Sequence, residues 1–127
     1  LDHVTVEIAR GATAVLGPSG AGKTSLLNVL VGFERPRSGT VEFRGSDSLE
    51  ALEIYWSPAS HGLWPHLTVR QHLKMVSPNE RADELLERFD LAALADVRPG
   101  ALSLGERSRL SVARAVASGA KVIVMDE

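Results

Sequence analysis

Apolar and polar positions recur along this chain with two periods, and each period predicts a kind of element. Val4, Val6 and Ile8 alternate with Thr5 and Glu7, the period-two pattern of a half-buried strand. Arg10-Gly11 turns the chain into Ala12-Thr13-Ala14-Val15-Leu16, a short, mostly apolar run that reads as a buried strand. Ser25 to Val31 reads as a helix that stops at Gly32. After the turn Pro36-Arg37-Ser38-Gly39, Val41 and Phe43 alternate with Thr40, Glu42 and Arg44 as another half-buried strand. Gly45 to Ser48 is polar loop, Leu52 to Trp56 fits a further strand, and Ser57 to Pro65 is a loop with two prolines and a glycine.

In the second half Thr68 caps a helix from about Val69 to Val76. Ser77-Pro78-Asn79-Glu80 joins a capping box to a proline at the first helical position, and the helix it opens carries Leu85, Leu86 and Phe89. Arg98-Pro99-Gly100 breaks the pattern. Ser103-Leu104-Gly105-Glu106 is a second capping box, opening a helix through about Ser118 that Gly119 closes. Val122-Ile123-Val124-Met125 is a buried strand by composition. Strand, loop and helix early, a helical insert in the middle, and helix then strand at the end predict an α/β fold. The early alternating strands predict an antiparallel β layer beside the main sheet. There is no internal repeat, low-complexity tract or linker. A single domain is expected over 1–127, with 57–100 forming a loop and helical subdomain within it.

Composition narrows the function. The chain has 127 residues, enough for one domain, and 44% hydrophobic with 24% charged residues exclude a disordered segment. A formal net charge of -2 leaves no basic field to grip nucleic acid or an anionic membrane, so no nucleic-acid partner is expected. Cysteine is absent, which excludes disulfides and thiolate metal sites and fits a reducing compartment. No apolar run approaches the ~18 to 20 residues a membrane span needs. Any membrane role is therefore expected to come through a partner. The chain opens directly at an apparent strand and closes at Asp126-Glu127 just after another, so a C-terminally truncated fragment is expected.

The chemistry begins with Gly17-Pro18-Ser19-Gly20-Ala21-Gly22-Lys23-Thr24, which fits G-x-x-x-x-G-K-[ST], the phosphate-binding P-loop or Walker A motif, at every required position. It stands between an apparent strand and a helix, the arrangement the motif needs. Its glycines let the backbone curl tightly and let phosphate oxygens approach the amides. Those amides, with Ser25 in the first turn behind them, form an anion-binding concavity at a helix N-terminus. Lys23 would reach the β- and γ-phosphates, and the Thr24 hydroxyl would hold Mg²⁺. An apolar strand ending in Asp126-Glu127 supplies the expected second half. Asp126 at a strand tip could bind Mg²⁺, directly or through water, and Glu127 would then polarise an attacking water as general base. An apolar strand followed by two acids is weak alone and gains its force from the P-loop in the same short chain.

With these motifs in order, essentially all 127 residues resemble the ATP-binding domain of ABC transporters, in the form common among importers. Walker A lies at 17–24 and Walker B at 122–126. Between them Leu102-Ser103-Leu104-Gly105-Glu106 resembles the family's signature L-S-G-G-Q, and Arg107 to Ala115 resembles the helix after it. Leu63-Trp64-Pro65-His66-Leu67-Thr68-Val69 is similar to the segment following the family's Q-loop. A plain capping box accounts for Ser103 and Glu106 but not for Leu102 and Gly105. The resemblance implies ATP and Mg²⁺ as cofactors, and two such domains that sandwich two ATP molecules head to tail. Ser103 and Gly105 would then clasp the γ-phosphate of the nucleotide bound by the partner domain. It also implies hydrolysis that energises transport through separate transmembrane subunits, on the cytoplasmic, inner face of the membrane.

The chain departs from the pattern in places. Leu104 stands where the family has its first signature glycine, and its side chain would either crowd a partner's nucleotide or pack inward. Glu106 replaces glutamine, which keeps a capping acceptor and adds charge. Ala59 falls where the Q-loop glutamine is expected and has no oxygen for Mg²⁺ or water; Gln71 lies too far on, within the predicted helix. The crossing loop and switch histidine that follow Walker B in the family lie beyond Glu127. The aromatic that stacks on adenine in the family would precede Leu1, and Trp56 and Trp64 read as packing residues. His3, His61, His66 and His72 lack metal-ligand spacing and read as surface or partly buried. The run Arg81 to Arg88 reads as a solvated helix face. Two other readings remain. One is a nucleotide-binding fragment or remnant that does not turn over, motivated by Ala59 and Leu104. The other is a soluble P-loop kinase or other NTPase without a membrane partner, which the signature disfavours.

Overall fold

A computed structural model describes residues 3–43, 53–77 and 81–126. The described residues within 1–51, together with Asp126, make one compact unit, and those within 52–125 make a second.

In the first unit, helix α1 spans Lys23–Leu30. Its start is set by backbone shape: Gly22 caps it at φ +91° with no side-chain bond, and Gly22 O accepts from Leu26 N–H at 2.9 Å. Its end is a Schellman turn. Gly32 takes φ +82°, its N–H reaches Val29 O at 3.2 Å, and Phe33 N–H reaches Asn28 O at 2.9 Å. The stop at Gly32 is as the sequence predicts, while the start lies two residues earlier.

The three early segments correct the prediction. Residues 4–8, 12–16 and 41–43 form no strand, and no antiparallel layer exists among the described residues. A strand is stable only when its N–H and C=O groups find a ladder partner and its apolar face finds a core. Here Val4, Val6 and Ile8 stay half exposed and Leu16 is 90% exposed. Alternation marks which face would be buried; it does not supply the partner. The predicted loop at Gly45 to Ser48 lies outside the described residues.

The second unit holds a hydrophobic core. Strand β1 (Ile54–Ser57) pairs in parallel with β2 (Val122–Met125), with Ile54 opposite Val122 and Ser57 opposite Met125. β1 begins two residues later than predicted and includes Ser57. A parallel pair needs a long crossover, and residues 58–121 supply it as helices α2 (Val69–Val76), α3 (Ala82–Arg88) and α4 (Leu104–Ala117), with 3₁₀ turns at Ala92–Leu94 and Pro99–Ala101. β2 is half-buried and not buried throughout, with Ile123 44% exposed.

Local signals place these helices. Thr68 caps α2 in a full capping box with Gln71. α3 opens after Arg81, and Ser77 closes α2; the rest of the predicted box, residues 78–80, lies outside the described residues. α3 ends in a second Schellman turn with Asp90 at φ +53° in place of glycine. Asp90 N–H bonds Glu87 O and Leu91 N–H bonds Leu86 O at 2.7 Å. Arg109 donates to the Asp90 carboxylate at 2.7 Å, which steadies that backbone. Leu86 and Leu91, joined by this turn, enter the core with Val69, Leu73, Leu85, Leu102, Leu110 and Ala113.

Candidate functional site

The P-loop is shaped by its own backbone. Ala21 N–H donates to Pro18 O at 3.2 Å, closing a turn, and Gly20 and Gly22 take φ +80° and +91°. Side chains are strongly disfavoured in that region, so glycine at these two positions is a geometric requirement. The ammonium of Lys23 folds back over the loop and donates to Gly17 O and Pro18 O, both at 3.0 Å. Charge-assisted bonds to carbonyls can be exchanged for stronger ones to phosphate oxygens. Ser19, Gly20, Thr24 and Ser25 are exposed, and Gly22 and Lys23 are half-buried.

Next to Lys23, the Thr24 hydroxyl donates to Asp126 Oδ2 at 2.7 Å. The two residues are 102 positions apart, and Asp126 is 7% exposed. Glu127 lies outside the described residues.

Ser103 and Gly105 sit at the start of α4, in the other unit. Ser103 forms a complete capping box: its N–H and its hydroxyl both donate to Glu106 Oε2, at 2.7 and 2.8 Å, and its oxygen accepts from Glu106 N–H. The bond from the Ser103 backbone N–H, then that from its hydroxyl, hold the Glu106 carboxyl below the usual carboxylate range. A Cβ on Gly105 would meet nothing within 4 Å. Leu104 is 72% exposed, which resolves the alternatives left by the sequence: it points outward and does not pack inward.

Ala59 lies in an exposed turn after β1, closed by His61 N–H donating to Pro58 O at 2.8 Å. No side-chain oxygen replaces the glutamine at that position. Downstream stands a cluster that sequence reasoning missed. His72, read as surface or partly buried, is fully buried. Its Nε2 accepts from Trp64 N–H at 2.9 Å, its Nδ1 lies 2.8 Å from Thr68 O, and its ring stacks on Trp64 with centroids 5.8 Å apart. Burial holds this ring below the ordinary histidine pKa. Trp64 packs here, as read, and remains 41% exposed. Arg114 lies under it, its Cζ 5.3 Å from the ring centroid. The signal for Arg114 was legible: it stands on the apolar stripe of α4 with Leu110, Ala113 and Ala117, where a solvated arginine has no reason to be.

A family model described as ABC transporter matches residues 1–127. The chain belongs to the ABC transporter family. Among curated members, it is 38% identical to a probable sulfate/thiosulfate import ATP-binding protein CysA of Chlorella vulgaris, over the whole chain and 60% of that protein. It is 35% identical to a spermidine/putrescine import ATP-binding protein PotA of Chromobacterium violaceum, over the whole chain and 39% of that protein. A solved ABC transporter in an inward-facing conformation superposes with a TM-score of 0.70 at 29% identity, covering 89% of this chain and 48% of that one. The chain is thus of the family's P-loop α/β fold. It spans 38–60% of the length of the curated relatives it matches.

Proposed function

We propose that this chain is the nucleotide-binding part of an ABC import system, binding Mg-ATP and hydrolysing it to drive transport through separate transmembrane subunits. The observation that carries this reading is the Thr24–Asp126 hydrogen bond. It joins the two residue types that hold Mg²⁺ in P-loop sites, across 102 positions, directly beside Lys23. Among the described residues no three His, Cys, Asp or Glu side chains gather, so the metal would rest on this hydroxyl and carboxylate with the nucleotide's own oxygens. That donor set fits Mg²⁺, a hard ion that keeps waters and takes one or two protein oxygens.

In this reading the backbone N–H groups within 17–25 cradle the phosphates, except that Pro18 has none and Ala21 donates to Pro18 O, a turn that shapes the loop. Lys23 leaves Gly17 O and Pro18 O for the β- and γ-oxygens. Thr24 and Asp126 would hold the metal. When bound, Mg²⁺ offsets charge on the β- and γ-oxygens. Glu127 takes a proton from water as that water attacks the γ-phosphorus in line; the bond to the bridging oxygen breaks, giving ADP and inorganic phosphate. Ser103 and Gly105 act on nucleotide held by a second ATP-binding domain. For that, the Ser103 hydroxyl and N–H must release Glu106. Among the described residues no helix is long and apolar enough to cross a membrane, so attachment at the inner face would come from the partner subunits. The relatives' named cargoes differ, and the reading extends to import without naming a cargo.

The test is thermal unfolding with and without Mg-ATP beside Lys23→Ala, followed by an ATPase assay. A rise that Lys23→Ala abolishes, with turnover that Glu127→Gln removes, is the expected result. A wild-type transition indifferent to Mg-ATP sinks the reading.

A further inference from the structure

Arg114 is a buried cation that the reaction above does not use. It is 6% exposed, and no carboxylate among the described residues pairs with it. Its Nε is buried without a hydrogen-bond partner. A buried guanidinium lacking a counter-ion is a costly feature that apolar packing would avoid. What it does hold is backbone. A single nitrogen, Nη1, donates to His61 O at 3.1 Å and to Gly62 O at 2.9 Å.

The accepting backbone is itself unusual. His61 and Gly62 are consecutive left-handed residues, with φ +62° and +55°. For histidine that conformation is strained, and strain of this kind persists only where neighbours over-determine it. Two left-handed residues in a row turn successive carbonyls to one side, where one donor can reach both. Around them, the His61 ring spans from Ala59 O at 3.0 Å to Ser108 Oγ of α4 at 3.2 Å. Trp64, which meets both Arg114 and His72, fixes the far end of the loop to α2.

The loop's position gives this hold a consequence. Ser57 pairs with Met125, so the chain leaves β1 at the same end of the sheet from which it leaves β2. Ligands of open parallel sheets bind at the carboxyl ends of the strands. We propose that Arg114 is a positioning residue: its guanidinium holds the left-handed turn at His61–Gly62, so sets the path of the 58–62 loop, and ties that loop to the helix that begins with Ser103. The hold on the loop stands on geometry alone; its effect on turnover rests on the nucleotide reading above.

The experiment uses the whole 127-residue chain as wild type, Arg114→Lys and Arg114→Met. The hydrogen-bonded amides of His61 and Trp64 are followed by hydrogen exchange, with those of Leu73 and Leu110 as core references. Arg114→Met is expected to speed exchange at His61 and Trp64 by about tenfold or more and leave the core amides unchanged, Arg114→Lys falling between. Unchanged exchange at His61 and Trp64 overturns the proposal. If neither variant folds, the wild-type Arg114 side chain decides: slowly exchanging Nη protons support the hold, and an averaged, freely rotating guanidinium overturns it. For turnover, Arg114→Met is expected to lower kcat by about tenfold with KM little changed. Equal kcat in the two proteins removes the role in the reaction and leaves the nucleotide reading intact. If Mg-ATP stabilises neither wild type nor variant, the nucleotide reading fails, and the exchange data still judge the loop.

Discussion

The unit carrying the P-loop and the unit carrying Ser103 fix a glycine loop and a helix end by different means. In the first, helix α1 buries no residue fully, and Val4, Val6, Ile8, Leu16 and Phe33 remain 46–90% exposed. The loop keeps its shape through bonds that span three to six positions: Ala21 to Pro18, Lys23 to Gly17 and Pro18, and the glycine turns. In the second, α4 buries Leu110, Ala113, Ala115 and Ala117, and its capped end is held out by that core. The difference teaches that a phosphate loop can be shaped by local hydrogen bonding, while a helix end is aimed by what its far face buries.

Core truncation should separate the two units most. Leu110→Ala is expected to cost about 2–5 kcal/mol in chemical denaturation, because the site is fully enclosed and a cavity remains. Leu16→Ala, at a 90% exposed position, should stay within about 0.5 kcal/mol. Comparable losses would mean that Leu16 is packed in solution and that the comparison fails.

Next in size is the metal's share of binding in the first unit. Ligand at 100 times its Kd adds about 2.7 kcal/mol to a folded binder. Asp126→Ala should erase the part of that gain that depends on Mg²⁺, read as thermal shifts with ATP that no longer differ between Mg²⁺ and EDTA. Retained metal dependence would take Asp126 out of the site.

A smaller effect tests the helix end. Ser103→Ala should cost about 1 kcal/mol, since it removes the acceptor for Glu106 N–H while the core still holds α4. A near-zero loss would show that packing alone fixes this terminus and would bring the two units closer in kind.

The subtlest is a pH dependence confined to the second unit. Burial lowers the folded-state pKa of His72, so below about pH 6.5 the unfolded chain takes up a proton that the folded one resists. Stability from this group is therefore flat above that pH and falls as pH drops toward the folded value. His72→Gln should flatten the slope between about pH 6.5 and 5 relative to wild type. An unchanged slope would assign the dependence to another group.

Signals that act within a few residues were legible. Gly32 and Gly119 end their helices, Thr68 and Ser103 begin theirs, and Val122–Met125 is a strand. The P-loop turn followed from its glycines. The early strands did not form because alternation specifies a face and not a partner. His72 was misjudged because its ring stacks on Trp64 and accepts from Trp64 N–H, a tertiary contact that no metal-ligand or periodicity test detects. Arg114 itself was visible as a cation on an apolar stripe, yet its acceptors were not, since they are backbone carbonyls 52 and 53 positions back.

The sequence by itself determined the motifs, their order, the caps and the family, because each rests on residue types at short, fixed spacing. Only the tertiary structure decided that Thr24 meets Asp126, that Leu104 faces outward, and that one buried guanidinium holds two left-handed carbonyls. The hydrogen-bonded pairings among these close loops of 52 to 102 positions, and the entropy of such closures must be offset by tertiary packing that no local pattern encodes.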